Sequence, residues 1–190
     1  MRFTELERSS YILLTGVLFF ACCWMAGVIL DGSWTFGVNT MSELGISDTF
    51  AKYLFLAGCV VTGLCISVYG YIESRETGTT LKEYAFYILI LSGILLIGVG
   101  IFTMDYGIVH NIFAWLFFGS LYVFMIIYMI YFVIKRYYSV AILTFAILIT
   151  GVLLIILTPL AFIESVFVIL FMAWMIIIDI SKYTNRICIS

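Results

Sequence analysis

The sequence predicts an all-α polytopic membrane protein of six transmembrane helices, and three observations carry that reading. Hydrophobic residues make up 65% of the chain and charged residues only 11%, where a soluble domain holds about 45–50% and about 25%. The apolar residues gather into six runs, each near the ~20 residues that take a helix across the hydrocarbon. None of the runs alternates apolar with polar residues as barrel strands do, and lipid offers an open backbone no water to bond. The 190 residues therefore read as one six-helix domain, 1–190, without a separate soluble unit.

The first span, about 10–30, is too long for a signal-peptide core and has no small-residue cleavage pattern, so it is expected to be retained. Residues 31–48 form the one long connection. They mix aromatic and aliphatic residues with Asp31, Asn39, Ser42 and Glu43, which predicts a loop packed back on the helix ends, with a short helical turn started by Thr40 or Ser42. Gly45 then reads as a stop, and Asp48 as the N-cap of the second span, about 50–72. The third and fourth spans, about 84–103 and 109–134, are joined by a tight connection in which Gly107 supplies the turn. The fifth and sixth, about 140–158 and 160–180, would pass for one run, but Pro159 lacks an N–H donor and drives Thr158 out of the helical region. Gly58, Gly63 and Ser67 in the second span, and Gly93, Gly98 and Gly100 in the third, are candidates for close helix approach, because small residues carry packing in lipid.

Eight of the nine basic residues fall on one side of this layout, and only Lys52 falls on the other. Both termini are thus expected in the cytoplasm, with loops one, three and five outside a multi-pass protein of the cell membrane. Tyr137, Tyr138 and Tyr183 on the inner side and Trp34 on the outer suit interfacial anchoring. Asp179 is expected to pair with Lys182 at the inner edge. A net charge of -2 and no basic cluster larger than Lys135-Arg136 argue against nucleic acid. The partners open to the chain are the bilayer, other membrane subunits, or a second copy of itself.

Of the five cysteines, Cys22, Cys23, Cys59 and Cys65 lie inside apolar runs and behave as small apolar residues. No CxxC pair is present, and a bridge from Cys22 or Cys23 to Cys59 or Cys65 has only geometric possibility behind it.

The unexplained polar groups gather on the expected outer face. His110, the single histidine, stands five residues after Asp105 across the Gly107 turn, so the two side chains are expected to meet. A carboxylate beside an imidazole fixes its tautomer and raises its basicity, as a general base requires. The structural alternative is that Asp105, His110 and Asn111 satisfy helix ends and hold loop one. Ser42, His110 and Asp105 are the residue types of an acyl-transfer triad, without the Gly-x-Ser-x-Gly context of a nucleophile elbow. Glu43 or Ser42 bonding to His110 would join loop one to loop three. A metal beside this one histidine would need Asp105, Glu43 and Glu164 or Asp31, a carboxylate-rich set, and no metal or cofactor is assigned. The span centres carry no Asp, Glu, Lys, Arg or His, which argues against a monomeric secondary transporter.

The segment Asn39-Thr-Met-Ser-Glu-Leu-Gly45, with Gly100-Ile-Phe-Thr-Met-Asp105 and then His110, resembles the prokaryotic membrane family called domain of unknown function 998. Members are similar in their six-span layout, their Ser-Glu-Leu-Gly loop and their Gly-x-Phe-x-x-Asp…His connection. This chain departs at Thr103, where proline is common, and at Met41, where isoleucine is usual. The resemblance implies that Ser42, Glu43, Asp105 and His110 form one outer site, and it implies no activity. Three functions then compete, in this order: a structural or accessory subunit of a membrane assembly, a lipid or headgroup enzyme working through Asp105–His110, and a binding protein for a small amphipathic ligand.

Overall fold

The computed structural model describes residues 3–76 and 79–187, with side chains over 8–76 and 79–181. Arg2, Cys188 and the side chains of Lys182, Tyr183 and Arg186 lie outside the described residues. Six helices follow in order: α1 (Phe3–Asp31), α2 (Ala51–Arg75), α3 (Thr80–Ile101), α4 (Ile108–Ile134), α5 (Tyr138–Leu157) and α6 (Leu160–Ile187). All six are long and apolar enough to cross a bilayer. Several outrun their apolar cores: α3 starts at Thr80 and α6 continues to Ile187, since a helix does not have to stop where the hydrocarbon does.

Pro159 separates α5 from α6, and its carbonyl accepts the N–H groups of Phe162 and Ile163 to start α6. At the start of α2 the cap differs from the expected one. Thr49, not Asp48, bonds the helix: its hydroxyl accepts the Ala51 N–H at 3.1 Å, while Ser47 Oγ accepts the Thr49 N–H at 3.2 Å. Asp48 sits two positions before the N-cap, which is Phe50 once α2 begins at Ala51 and which has no side-chain cap.

Small residues set the spacing of α1, α2 and α3. A Cβ added to Gly93 would lie 2.5 Å from the Gly63 carbonyl oxygen, and one added to Gly63 would meet the Gly93 carbonyl at the same distance. Ser67 seals the contact by donating to Gly63 O at 2.8 Å and sharing with Ile90 O at 3.3 Å. Three cysteines fit against glycines in the same manner: Cys65 on Gly16, Cys23 on Gly58 and Cys59 on Gly100. Cys22, Cys23, Cys59 and Cys65 are all free thiols. Backbone approach of this kind replaces the hydrophobic drive that lipid removes.

The half of the bundle nearer the termini is filled by aromatics. Tyr69, Phe86, Phe124, Tyr128 and Trp174 are all buried, with Phe86 and Tyr128 rings 5.6 Å apart and Phe124 and Trp174 rings 5.7 Å apart. Trp174 Nε1 donates to Thr144 Oγ1 at 2.9 Å, which ties α6 to α5. Tyr69 donates to Asp179 at 3.1 Å, so Asp179 faces into the bundle. Glu73, 1% exposed, accepts from Ser9 at 2.9 Å and stands 3.9 Å from Lys82. In the other half, a cavity lies between α4, α5 and α6 beside the loop-one turn.

Candidate functional site

Loop one folds over the helix ends. Trp34 packs edge-on against Trp24, with ring centroids 5.9 Å apart, and donates its indole N–H to Thr40 O at 2.8 Å. Phe36 meets Phe162 of α6, with centroids 5.8 Å apart. Thr40 then starts the expected turn, a 3-10 helix over Met41–Ile46. Glu43 reaches back as in a capping box, accepting the Thr40 N–H at 2.8 Å and its hydroxyl at 3.1 Å. Asn39 Nδ2 adds a third bond to Glu43, at 2.6 Å. Burial pushes the Glu43 carboxyl up, but these bonds to Asn39 and Thr40 outweigh it and hold it below its ordinary value. Gly45 is needed where it stands: a Cβ there would lie 2.8 Å from the Phe55 ring and 3.1 Å from the Thr103 methyl.

Glu164, in the second turn of α6, is the residue that fixes this turn to the bundle. Its carboxylate accepts the Ser42 hydroxyl at 3.0 Å, and the N–H groups of Met41 and Ser42 lie on the same side and attract it. A carboxylate at the N-terminus of a helical turn meets N–H groups that have no partner within the turn. Sequence reasoning considered Glu164 only as an incidental metal ligand. The signal that finds it is an ionisable side chain inside an apolar span, placed by Pro159 at the mouth of the α5–α6 hairpin.

Across the opening, Gly107 at φ 55° ends a short turn over Met104–Tyr106 and begins α4. His110, 4% exposed, turns inward and its Nδ1 lies 2.7 Å from Phe102 O, at the C-terminus of α3. A carbonyl only accepts, so the Nδ1 proton is on this bond, and in the neutral form of the ring the lone pair is on Nε2. Asp105 is exposed, and no hydrogen bond joins it to His110 among the described residues. The expected meeting across the hairpin is taken over by the Phe102 carbonyl, because the turn points Asp105 outward while the first turn of α4 carries His110 inward. Ser42 and Glu43 likewise bond to Glu164 and to Thr40 with Asn39, not to His110.

Ser42, His110 and Glu164 nonetheless share one space. A cavity of about 350 Å³ lies between α4, α5, α6 and the loop-one turn. Thr40, Ser42, His110, Asn111, Thr158 and Glu164 give it a polar end, and its walls are apolar, with Phe118, Ile155, Ile163 and Phe167 among them. From His110 to Tyr122 it follows α4 for roughly 18 Å at ~1.5 Å per residue, which is more than half of a ~30 Å hydrocarbon core. Tyr122 lies against Gly151 and stacks on Phe167, with centroids 4.9 Å apart, and this pair closes the deep end. Among the described residues no three His, Cys, Asp or Glu side chains converge as a metal site would require.

This arrangement defines a class: a six-helix multi-pass membrane protein with a cavity that is polar at one end, apolar along its length and covered by a folded loop. Residues 13–180 match the family model described as "Protein of unknown function (DUF998)", and the chain belongs to that family. No curated protein and no solved structure matches it.

Proposed function

We propose that the protein is a membrane binding protein whose cavity holds the polar end of a small amphipathic molecule. The observation that carries this reading is the division of the cavity: Ser42, His110 and Glu164 at the loop-one end, and apolar walls running from there toward the centre of the span. Ligand sites combine mostly apolar walls with a few placed polar groups, in volumes of ~300–1,000 Å³. Mass spectrometry of material extracted from the purified protein tests it. A defined amphiphile should accompany the native chain and be lost from Ile163→Trp, which fills the cavity; identical extracts from the two would refute the reading.

Two other readings draw on particular features. An accessory role in a larger assembly is favoured by α5, whose side chains Ile142, Phe145, Ile149, Val152 and Ile156 are exposed. A subunit that co-purifies in mild detergent and is lost on Phe145→Lys would support it. A lipid- or headgroup-modifying activity is favoured by the Nε2 lone pair of His110, a proton acceptor facing the place where a head would sit. Altered lipids in cells carrying His110→Asn, with an intact and stable protein, would support that one.

A further inference from the structure

The cavity's hydrogen-bonding capacity is one-sided. The hydroxyl proton of Ser42 is held by Glu164, that of Thr40 by Glu43, that of Thr158 by Leu154 O at 2.9 Å, and that of Tyr122 by Leu148 O at 3.4 Å. The backbone N–H groups of Met41 and Ser42 lie toward the Glu164 carboxyl, and the Nδ1 proton of His110 goes to Phe102 O. What the lining has left to offer is His110 Nε2, the remaining lone pairs of Glu164 and the lone pairs of the hydroxyls. Asn111 and Trp115 bring the remaining side-chain N–H donors, and both are exposed residues. No Lys or Arg lines the cavity among the described residues.

We infer that the head recognised here is an uncharged or cationic hydrogen-bond donor, the O–H or N–H of a single-chain alcohol or amine, and not an anionic phosphate or carboxylate. The inference rests on the binding function proposed above and narrows its ligand. An anion in this place would face the Glu164 carboxyl and lone pairs without a cation or a free buried donor to replace its water. A donor head instead meets His110 Nε2, whose ring is nearly sealed from other partners. The size agrees: at ~30 Å³ for each water-sized group there is room for roughly a dozen non-hydrogen atoms, which suits a head and the first part of one chain. A two-chain headgroup assembly is too large.

The test is native mass spectrometry of the full chain in mild detergent, with hexadecanol, hexadecylamine and hexadecyl phosphate as probes of equal chain length. The alcohol or the amine should occupy the protein at concentrations where the phosphate does not, and His110→Phe should weaken that binding by about five- to tenfold, the worth of one buried hydrogen bond. The headgroup series on the native chain stands even if the His110 variant fails to fold. Binding of the phosphate as tightly as the alcohol and amine, abolished by Ile163→Trp, would overturn the donor-head inference and leave the binding function standing. No binding of any probe, with Ile163→Trp indistinguishable from the native chain, would overturn both.

Discussion

Replacing Glu164 with alanine should undock loop one while leaving the six helices in place. Glu164 accepts the Ser42 hydroxyl of the loop-one turn at 3.0 Å, and its carboxyl attracts the N–H groups of Met41 and Ser42 besides. Met41 is 3% exposed and Ser42 6%, so only water held in the cavity could replace the lost acceptor while the turn stays docked. Each buried donor left without a partner costs about 1–3 kcal/mol. With one such bond lost, about 2 kcal/mol against the docked state is a fair expectation, roughly 25-fold in the opening equilibrium at ~1.4 kcal/mol per tenfold. Hydrogen exchange of a peptide covering 39–47 in micelles reads that equilibrium directly. Protection should fall by about that factor in Glu164→Ala and by less in Glu164→Gln, which keeps one acceptor oxygen. A peptide from the middle of α3 should exchange as before. Equal protection of 39–47 in all three proteins would refute the assignment of Glu164 as the clasp.

Glu43 gives loop one a pH dependence of known sign: its carboxyl lies below the ordinary 4.5, so its stabilisation is present above that value and lost as pH falls through the lower folded one; the emission of Trp34, bonded to Thr40 O, should report loosening below pH 4.5, and Glu43→Gln should flatten the profile. Since Glu43 and His110 share no hydrogen-bond partner, melting shifts of Glu43→Ala and His110→Ala should add to within about 0.5 kcal/mol, and a larger coupling would show contact. Gly93→Ala forces a methyl against the Gly63 carbonyl and should destabilise the detergent-solubilised protein by about 1–3 kcal/mol, whereas Gly119→Ala, where nothing lies within 4 Å, should raise the melting temperature slightly, because alanine gives up less backbone freedom in a helix. For orientation, a cysteine at exposed Ser33 should react with an impermeant thiol reagent in intact cells and one at exposed Thr80 should not; the reverse pattern would invert the bundle.

The features legible in the sequence are those decided by neighbouring residues. Pro159 breaks an apolar stretch because of its own missing N–H, Gly107 turns the chain because of its own φ, and Thr40 starts a turn with Glu43 three residues on. Gly63 and Gly93 were visible as small residues on adjacent spans. The misreadings share a cause of a different kind. Asp48 and Thr49 are both cap-forming residue types, and which of them bonds the helix depends on a start position that shifts by one or two residues. Asp105 and His110 are close in sequence, yet Phe102 O is the better acceptor for Nδ1, because it is an unpaired carbonyl at the end of a helix and is brought close by the same turn. Glu164 was hidden by distance: its partner Ser42 is 122 residues away, and no local pattern names that pair.

The cavity itself has a weaker but readable trace. On α4, His110, Ala114, Phe118 and Tyr122 recur at intervals of four, and on α6 Leu160, Glu164 and Phe167 recur at four and three, so each helix turns one stripe toward the same space. Both stripes carry their titratable residue in the first two turns, at the end where loop one lies, and continue as apolar and aromatic side chains. In a helix that faces lipid on one side and protein on the other, an ionisable residue held on the inner stripe requires either a fixed partner or a ligand. Glu164 has its partner in the loop-one turn. His110 satisfies only Nδ1, at Phe102 O, and that asymmetry makes Nε2 the atom at which a bound head should be recognised.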